Sequence, residues 1–337
     1  GGTTGEGKGV MLSHRNIVSN GLQVSTSLAV TSNDKFLHVA PMFHSADLLG
    51  TAITLAGGSH SFLGQPTPEN IIQAIINNNI TMTMTPPVLL RGIIESNKQL
   101  HNKIEKLRIF ICGGSPVPLS LLLAGKKIFS GVSMVQGYGL TETSPIISFL
   151  EMDEAAKENN QESLGSSGKP LAGIEVKIAG KKGIGEVQIK GPNVFKGYFN
   201  NKDATENSFD GGWFKTGDIG RFDERGYLHI LDREKDIIIT GGENVYSVQV
   251  EQILIDHPKV EEAAVVGLPD DKWGEKVVCI IVKSRKAELE VEELRDYCKE
   301  KIGSYKIPKV FYFYETLPKT PLGKVLKGKL RNKLSNV

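Results

Sequence analysis

Apolar and polar residues alternate between two periods along the first 150 residues of the chain. Ser13 stands as an N-cap before roughly fifteen residues of helical pattern. Asp34 to Ala40 reads as a strand. Thr67 and Pro68 open a helix to about Asn78, with the threonine as cap and the proline at the first helical position. Ile80 to Thr85 is a strand rich in β-branched residues, and a helix follows Pro86-Pro87. Arg108 to Cys112 is extended, Pro118 to Phe129 is apolar at helical spacing, and Val132 to Gln136 is extended again. Such alternation predicts a mostly parallel sheet covered by helices. Ligands of these sheets sit beyond the carboxyl ends of the strands. Gly113-Gly114-Ser115 and Gly137-Tyr138-Gly139 fall there.

The pattern then changes. Glu151 to Ser163 is polar and reads as a surface connection. From Gly165 to about Leu231 short strands with glycine turns dominate: Glu175–Ile178, Gly185–Lys190, Trp213–Thr216 and Gly226–Leu231. After Asp232-Arg233 comes an α+β pattern of about 100 residues. It has helices at Val248–Ile255 and Glu290–Lys301 and strands at Ala263–Gly267, Val277–Lys283 and Lys309–Tyr314. The predicted architecture is α/β: parallel sheet layers with helices, a small β-rich subdomain, and a small mobile α+β C-terminal domain. The boundaries are 1–232 (with 1–150 the sheet portion and 165–231 the β-rich part) and 233–337.

Bulk properties narrow the function. Lysine and arginine number 40 against 38 acidic residues, a net charge of +2, so nothing favours nucleic acid. No apolar run approaches the roughly 20 residues of a membrane span, which leaves peripheral membrane contact and homo-oligomers open. The three cysteines, Cys112, Cys279 and Cys298, share no metal-ligand spacing. An odd count without a framework fits a reducing, cytoplasmic setting and buried structural thiols.

The opening Gly1-Gly2-Thr3-Thr4-Gly5-Glu6-Gly7-Lys8-Gly9 has the chemistry of a phosphate-binding loop. Glycines turn backbone N–H groups toward an anion, Thr3 and Thr4 add hydroxyls, and Lys8 adds charge. Gly2, Gly7 and Lys8 match a Walker loop, but Gly9 stands where that motif needs Ser or Thr, and the helix starts late. A flexible glycine-rich turn is the plainer alternative. Because the chain starts inside this loop, it reads as the C-terminal part of a longer protein.

Five further segments follow in order: Gly137-Tyr138-Gly139-Leu140-Thr141-Glu142-Thr143, Gly212-Trp213-Phe214-Lys215-Thr216-Gly217-Asp218, Asp232-Arg233-Glu234-Lys235-Asp236, Gly241-Gly242-Glu243-Asn244 and Pro318-Lys319-Thr320-Pro321-Leu322-Gly323-Lys324. With the opening loop, their order and spacing resemble the adenylate-forming (AMP-binding) superfamily over essentially the whole chain. The most similar branch is that of fatty-acid and other acyl-CoA synthetases. The resemblance implies activation of a carboxylic acid with ATP and Mg²⁺ to an acyl-adenylate, then transfer to a thiol such as coenzyme A.

It also implies roles. Gly2, Thr3, Thr4, Gly5 and Lys8 would hold the β- and γ-phosphates. Tyr138 and Gly139, with Gly114 and Ser115, would flank adenine. Thr141 would bond the α-phosphate and Glu142 would reach magnesium. Asp218 would accept from both ribose hydroxyls, with Arg233 beside them. Lys324 would be the catalytic cation, although Lys327, Lys329 and Arg331 nearby also fit a solvated basic face. Lys235 would be the hinge, and Gly241 and Gly242 would line a coenzyme A tunnel. Pro41-Met42-Phe43-His44-Ser45 would lie beside the acyl pocket, with His44 near the carboxylate or the tunnel mouth. His44 is grouped with Lys324 and Thr141 as catalytic, although a structural histidine is the plainer alternative. Asp47 is out of register for holding an amino group, and no cation awaits a second carboxylate. An apolar acid is therefore expected, medium- or long-chain fatty or aromatic, with fatty acid preferred. The alternatives are an acyl-AMP ligase or carrier-loading enzyme, and an inactive nucleotide-binding paralogue.

Overall fold

A computed structural model of the chain describes residues 7–96, 104–157, 161–284, 287–320 and 323–335. They divide into two compact units: Lys8–Thr216 with Gly220–Ile230, and Gly7 and Gly217–Ile219 with the chain from Leu231 on.

The first unit opens with helix α1 (His14–Ser27), and local chemistry sets its start. The Ser13 hydroxyl accepts from the Asn16 N–H at 3.2 Å, while the Asn16 side chain accepts from the Ser13 N–H at 2.8 Å. Asn16 also donates to the carbonyls of Pro192 and Val194 at 2.8 and 2.7 Å. This cap therefore also holds a distant loop.

Seven strands form the main sheet: β1 (Lys35–His38), β2 (Ser59–Phe62), β3 (Met82–Thr85), β4 (Ile109–Gly113), β5 (Ser133–Tyr138), β6 (Ser148–Glu151) and β7 (Lys169–Pro170). Their spatial order is β2-β1-β3-β4-β5-β6-β7. The first five run parallel, and β6 and β7 are antiparallel additions. Helices α2 (Gly50–Leu55), α3 (Pro68–Asn77), α4 (Pro87–Ser96) and α5 (Leu119–Ile128) fall between the parallel strands. Thr67 caps α3 as expected, accepting from the Asn70 N–H, with Pro68 at its first turn. Both sheet faces are covered. Ile109 and Ile111 point into one core with Met82, Met84 and Val135. Phe110 and Cys112 point into another with Ile71, Ile75, Leu90, Ile93 and Leu122. Burial on both faces explains why these strands read as continuous apolar runs. The Phe110 side chain alone contributes on the order of 2–3 kcal/mol.

The expected polar connection after Glu151 is instead structured. Helix α6 (Met152–Lys157) buries Met152 and Ala155, three residues apart, and turns Asp153, Glu154 and Lys157 outward. A short helix α7 (Gln161–Leu164) follows, and the buried Ser163 hydroxyl donates to Asp223 at 3.1 Å. The acidic composition hid the two apolar contacts.

A second sheet comprises β8 (Glu175–Lys181), β9 (Ile184–Lys190), β10 (Phe209–Asp210), β11 (Trp213–Phe222) and β12 (Leu228–Arg233), with α8 (Lys202–Asn207) between β9 and β10.

The second unit is built on β13 (Ile238–Thr240), β14 (Glu243–Val245), β15 (Val260–Asp270), β16 (Gly274–Lys283) and β17 (Val310–Phe313), with α9 (Ser247–Ile255), α10 (Val291–Lys299) and α11 (Lys327–Ser335). The β15–β16 hairpin runs from the Val260–Lys283 pair to the Asp270–Gly274 pair. Its alternate residues fill two cores. Val265, Cys279 and Ile281 pack with Val250, Leu254 and Leu294. Ala264, Val266, Val278 and Ile280 pack with Leu330 and Leu334. All three cysteines are buried, and burial pushes the Cys298 thiol up to about 11. Among the described residues no helix is long and apolar enough to cross a membrane.

Candidate active site

In the first unit the parallel strands deliver the glycine motifs to one edge. Gly113 and Gly137 are direct neighbours across β4 and β5, and a Cβ on Gly113 would lie 2.5 Å from the Gly137 carbonyl. Gly114 and Gly139 beyond these ends are exposed, and Ser115 is half-buried. Tyr138 is half-buried too, and its ring packs on the core beneath the sheet end.

The chain then makes a 3₁₀ turn, Thr141–Thr143. The Thr141 hydroxyl lies 3.0 Å from that of Ser45. Glu142 accepts through Oε1 from the Tyr198 hydroxyl at 2.8 Å, and its carbonyl accepts from the Phe195 N–H at 2.9 Å. Asn193 donates to the Thr143 carbonyl, and Ser144 donates to the Asn193 carbonyl, both at 2.9 Å. Both hydroxyl and carboxylate of this turn are therefore held from outside it.

His44 caps a second 3₁₀ turn, Ser45–Leu49, accepting through Nδ1 from the Ala46 N–H at 3.2 Å. Burial lowers its pKa below the ordinary imidazole value, and Asp47 pulls the other way. Asp47 itself lies 2.6 Å from His38 Nδ1, and His38 Nε2 lies 2.8 Å from His60 Nδ1. These anchor the turn to β1 and β2. Met42 and Phe43, just before His44, are 74% and 86% exposed, apolar surface at the position expected to face the acid. Lys8 places its ammonium 4.8 Å from the centre of the Tyr198 ring. Gly2, Thr3, Thr4 and Gly5 lie outside the described residues.

The second unit collects the other expected residues. Asp218 is buried, and its Oδ1 lies 2.7 Å from Arg233 Nε. Asp232, next to it in the chain, accepts from the Arg233 N–H at 2.8 Å and from the Ser247 N–H and hydroxyl at 2.5 Å. Lys324 remains solvent-exposed. Even so, its pKa is lowered, first by surrounding protein and then by Arg233 and Lys235; Asp218 and Asp236 oppose them. Those charges place the ammonium within electrostatic reach of the Asp218–Arg233 pair. Lys235, exposed on the 3₁₀ turn Glu234–Asp236, is lowered by its surroundings as well, with Asp236 opposing. Neighbouring Lys327 differs from Lys324. It is mostly buried, donates to the Ser247 hydroxyl at 2.6 Å and pairs with Glu251 at 2.7 Å. This separates the structural lysine from the exposed one, which the local charge run could not do.

Gly241 and Gly242 form the turn between β13 and β14, both with left-handed backbones (φ 60° and 83°). The Gly241 N–H donates to the Trp273 carbonyl at 2.8 Å, and a Cβ there would meet the indole at 3.0 Å. At Gly242 a Cβ would meet nothing within 4 Å.

Sequence reasoning missed Tyr198, Asn193 and Ser45. Each acts on its motif residue from at least 50 residues away, with separations of 56, 50 and 96. A motif pattern along the chain carries no such signal.

Comparison with known proteins follows the same lines. The family model described as AMP-binding enzyme matches residues 1–199, and that of the AMP-binding enzyme C-terminal domain matches 249–324. The chain is 35% identical to a feruloyl-CoA synthase of Amycolatopsis over 98% of its own length and 68% of that enzyme. It is 38% identical to a 2-succinylbenzoate–CoA ligase of Bacillus licheniformis over the same shares. Among solved structures, the o-succinylbenzoate CoA synthetase of Bacillus subtilis with its acyl-adenylate intermediate superposes with a TM-score of 0.89 at 35% identity, over 100% of this chain and 68% of that one. The same enzyme has been solved with ATP and a magnesium ion, with a TM-score of 0.87 at 35% identity, over 99% of this chain and 68% of that one.

Proposed function

The chain belongs to the AMP-binding enzyme family, and on that premise we propose that it joins an aromatic carboxylic acid to coenzyme A through an acyl-adenylate. ATP is cleaved to AMP and pyrophosphate, so the enzyme is an AMP-forming acid–thiol ligase. The observation that carries the reading is the Asp218–Arg233 pair within the field of an exposed Lys324. Such a group can hold a sugar diol and place one mobile cation beside it.

In the first half-reaction a carboxylate oxygen attacks the α-phosphorus and the bond to the β-phosphate oxygen breaks. Two anions must approach, and a cation at that point stabilises the charge that develops. Lys324 takes that role, and the Thr141 hydroxyl donates to the α-phosphate. Asp218 accepts from the ribose hydroxyls while Arg233 steadies it. Tyr138, Gly114, Ser115 and Gly139 border the adenine. Lys8 grips the phosphate tail, with Gly2, Thr3, Thr4 and Gly5 supplying the rest of the loop. In the second half-reaction a thiolate attacks the acyl carbon and AMP leaves. Gly241 and Gly242 admit the thiol arm, with Lys235 as the pivot between the two halves.

The residues suit magnesium. Among the described residues no three His, Cys, Asp or Glu side chains converge, and Glu142 offers one carboxylate oriented by a tyrosine. One carboxylate plus substrate phosphates is the usual protein contribution to this ion. Bound there, magnesium would neutralise phosphate charge.

The acid is read as aromatic, correcting the fatty-acid expectation. Feruloyl and succinylbenzoate groups both carry an aryl ring. The exposed Phe43 and the neighbouring His44 offer an aryl group apolar and edge contacts. The test is a pyrophosphate-release panel with aryl acids and with fatty acids of varied length, each with and without coenzyme A. Fastest release and thioester with an aryl acid are expected. A preference for fatty acids would overturn the substrate assignment. AMP without thioester would indicate another acceptor, and no release with any acid would end the enzymatic reading.

A further inference from the structure

Tyr198 belongs to none of the motifs, yet it touches two of them. Its hydroxyl donates to Glu142 Oε1 at 2.8 Å. Its ring face carries the Lys8 ammonium at 4.8 Å from the centroid. The residue is only 8% exposed, and Phe195 packs edge-on against the ring at 4.9 Å.

The backbone around it makes the same two connections. The Met11 N–H donates to the Gly197 carbonyl and the Lys196 N–H to the Met11 carbonyl, both at 3.0 Å. The Phe199 N–H donates to the Gly9 carbonyl at 2.7 Å. Residues 9–11, the exit of the phosphate loop, thus pair with residues 196–199. At the other end the Phe195 N–H donates to the Glu142 carbonyl. One short segment therefore fixes the loop lysine and the acidic turn together.

Resting on the function proposed above, we propose that Tyr198 is a positioning residue that aligns Glu142 for magnesium and Lys8 for the phosphate tail. The two contacts are chemically separable. The hydroxyl leaves one Glu142 oxygen for the metal and restricts the carboxylate's rotation, an outer-shell role that typically changes metal affinity by 10–100-fold. The aromatic face holds a cation without neutralising it, since the ring quadrupole attracts the ammonium but supplies no formal charge. Lys8 keeps its full charge for the phosphates, which a carboxylate partner would have offset.

Tyr198→Phe keeps the ring and removes the hydroxyl. The readout is calorimetric binding of a non-hydrolysable ATP analogue to the full chain, first with chelator and then across a magnesium titration. Y198F should match the wild type without metal and need about tenfold more magnesium for full affinity. Glu142→Gln provides the control: in that background Y198F should add nothing further. Lys8→Ala should lower the metal-free affinity and leave the magnesium requirement unchanged. An unshifted magnesium requirement in Y198F overturns the inference. So does an equal shift in the E142Q background, which would mark a merely structural tyrosine. Absence of analogue binding by the wild-type chain would instead overturn the reading of the site, and this inference with it.

Discussion

Two aspartate–arginine pairs in this molecule have nearly the same geometry and different surroundings. Asp34 meets Arg108 and Asp218 meets Arg233, each at 2.7 Å. In both, the aspartate is buried and the arginine about a third exposed. The difference lies in what else surrounds the carboxylate. Asp34 also accepts from the Thr31 N–H at 2.8 Å and the Thr81 hydroxyl at 2.7 Å, and Arg108 donates onward to the Leu28 and Ala29 carbonyls. Burial alone would raise the Asp34 pKa, but these hydrogen bonds win and hold it at about 2. Asp218 instead has the exposed Lys324 within electrostatic reach. The first pair closes a network onto its own fold. The second lies beside one exposed lysine, Lys324. An ion pair's distance therefore says little about its purpose, and its remaining neighbours decide.

The largest expected effect tests the mobile cation. Lys324→Ala should slow adenylation by about 10²-fold or more, while thioester formation from supplied acyl-adenylate persists. Equal loss in both half-reactions would remove Lys324 from its role. Next come the aspartates themselves. Asp218→Ala should raise the KM for ATP by roughly tenfold or more, the worth of lost charged hydrogen bonds, with little change in melting temperature. Asp34→Ala should do the reverse, costing about 2–3 kcal/mol of stability in chemical denaturation and leaving kcat per folded molecule unchanged. If both variants behave alike, the contrast collapses.

Acid separates the pairs a third way. The Asp34 pKa is depressed in the fold from 3.8 to about 2. Its contribution is thus present above pH 3.8 and is lost as pH falls toward 2. About 2 kcal/mol should disappear over that window, and Asp34→Asn should flatten the loss. The smallest effect concerns alkali. Lys324 titrates below 10.5, so adenylation should decline as pH rises through that lowered value. Lys324→Arg, which stays charged, should lack this limb. An unchanged alkaline limb in the arginine variant would assign it to another group.

Much of this organisation was legible from local chemistry. Ser13 and Thr67 announce their helices because a cap is a contact within three residues. Four of the parallel strands, β1, β3, β4 and β5, were readable because their burial leaves largely apolar runs. By contrast β2 (Ser59–Phe62), a half-exposed edge strand of polar and aromatic residues, was not. Elements whose pattern was diluted were not: α6 offers only Met152 and Ala155 to the interior, and β7 is two residues long. In the site, the motif residues could be named individually, but not what holds them. The tethers of Glu142, Thr141 and Thr143 are made by Tyr198, Ser45 and Asn193, residues brought near only by the fold. Likewise, motif position singles out Lys324 from its basic neighbours, but the structural role of Lys327 shows only in its contacts with Glu251 and Ser247.

The adjacent glycines of the β13–β14 turn carry different constraints. At Gly242 only the dihedral matters, so asparagine or aspartate, which visit the left-handed region most readily, should be admitted there at modest cost. At Gly241 a methyl group would press on the indole of Trp273 at 3.0 Å, so any side chain there requires that half-exposed ring to shift as well. A saturation library across this dipeptide should therefore return survivors of unequal breadth, more small polar residues at the second codon than at the first.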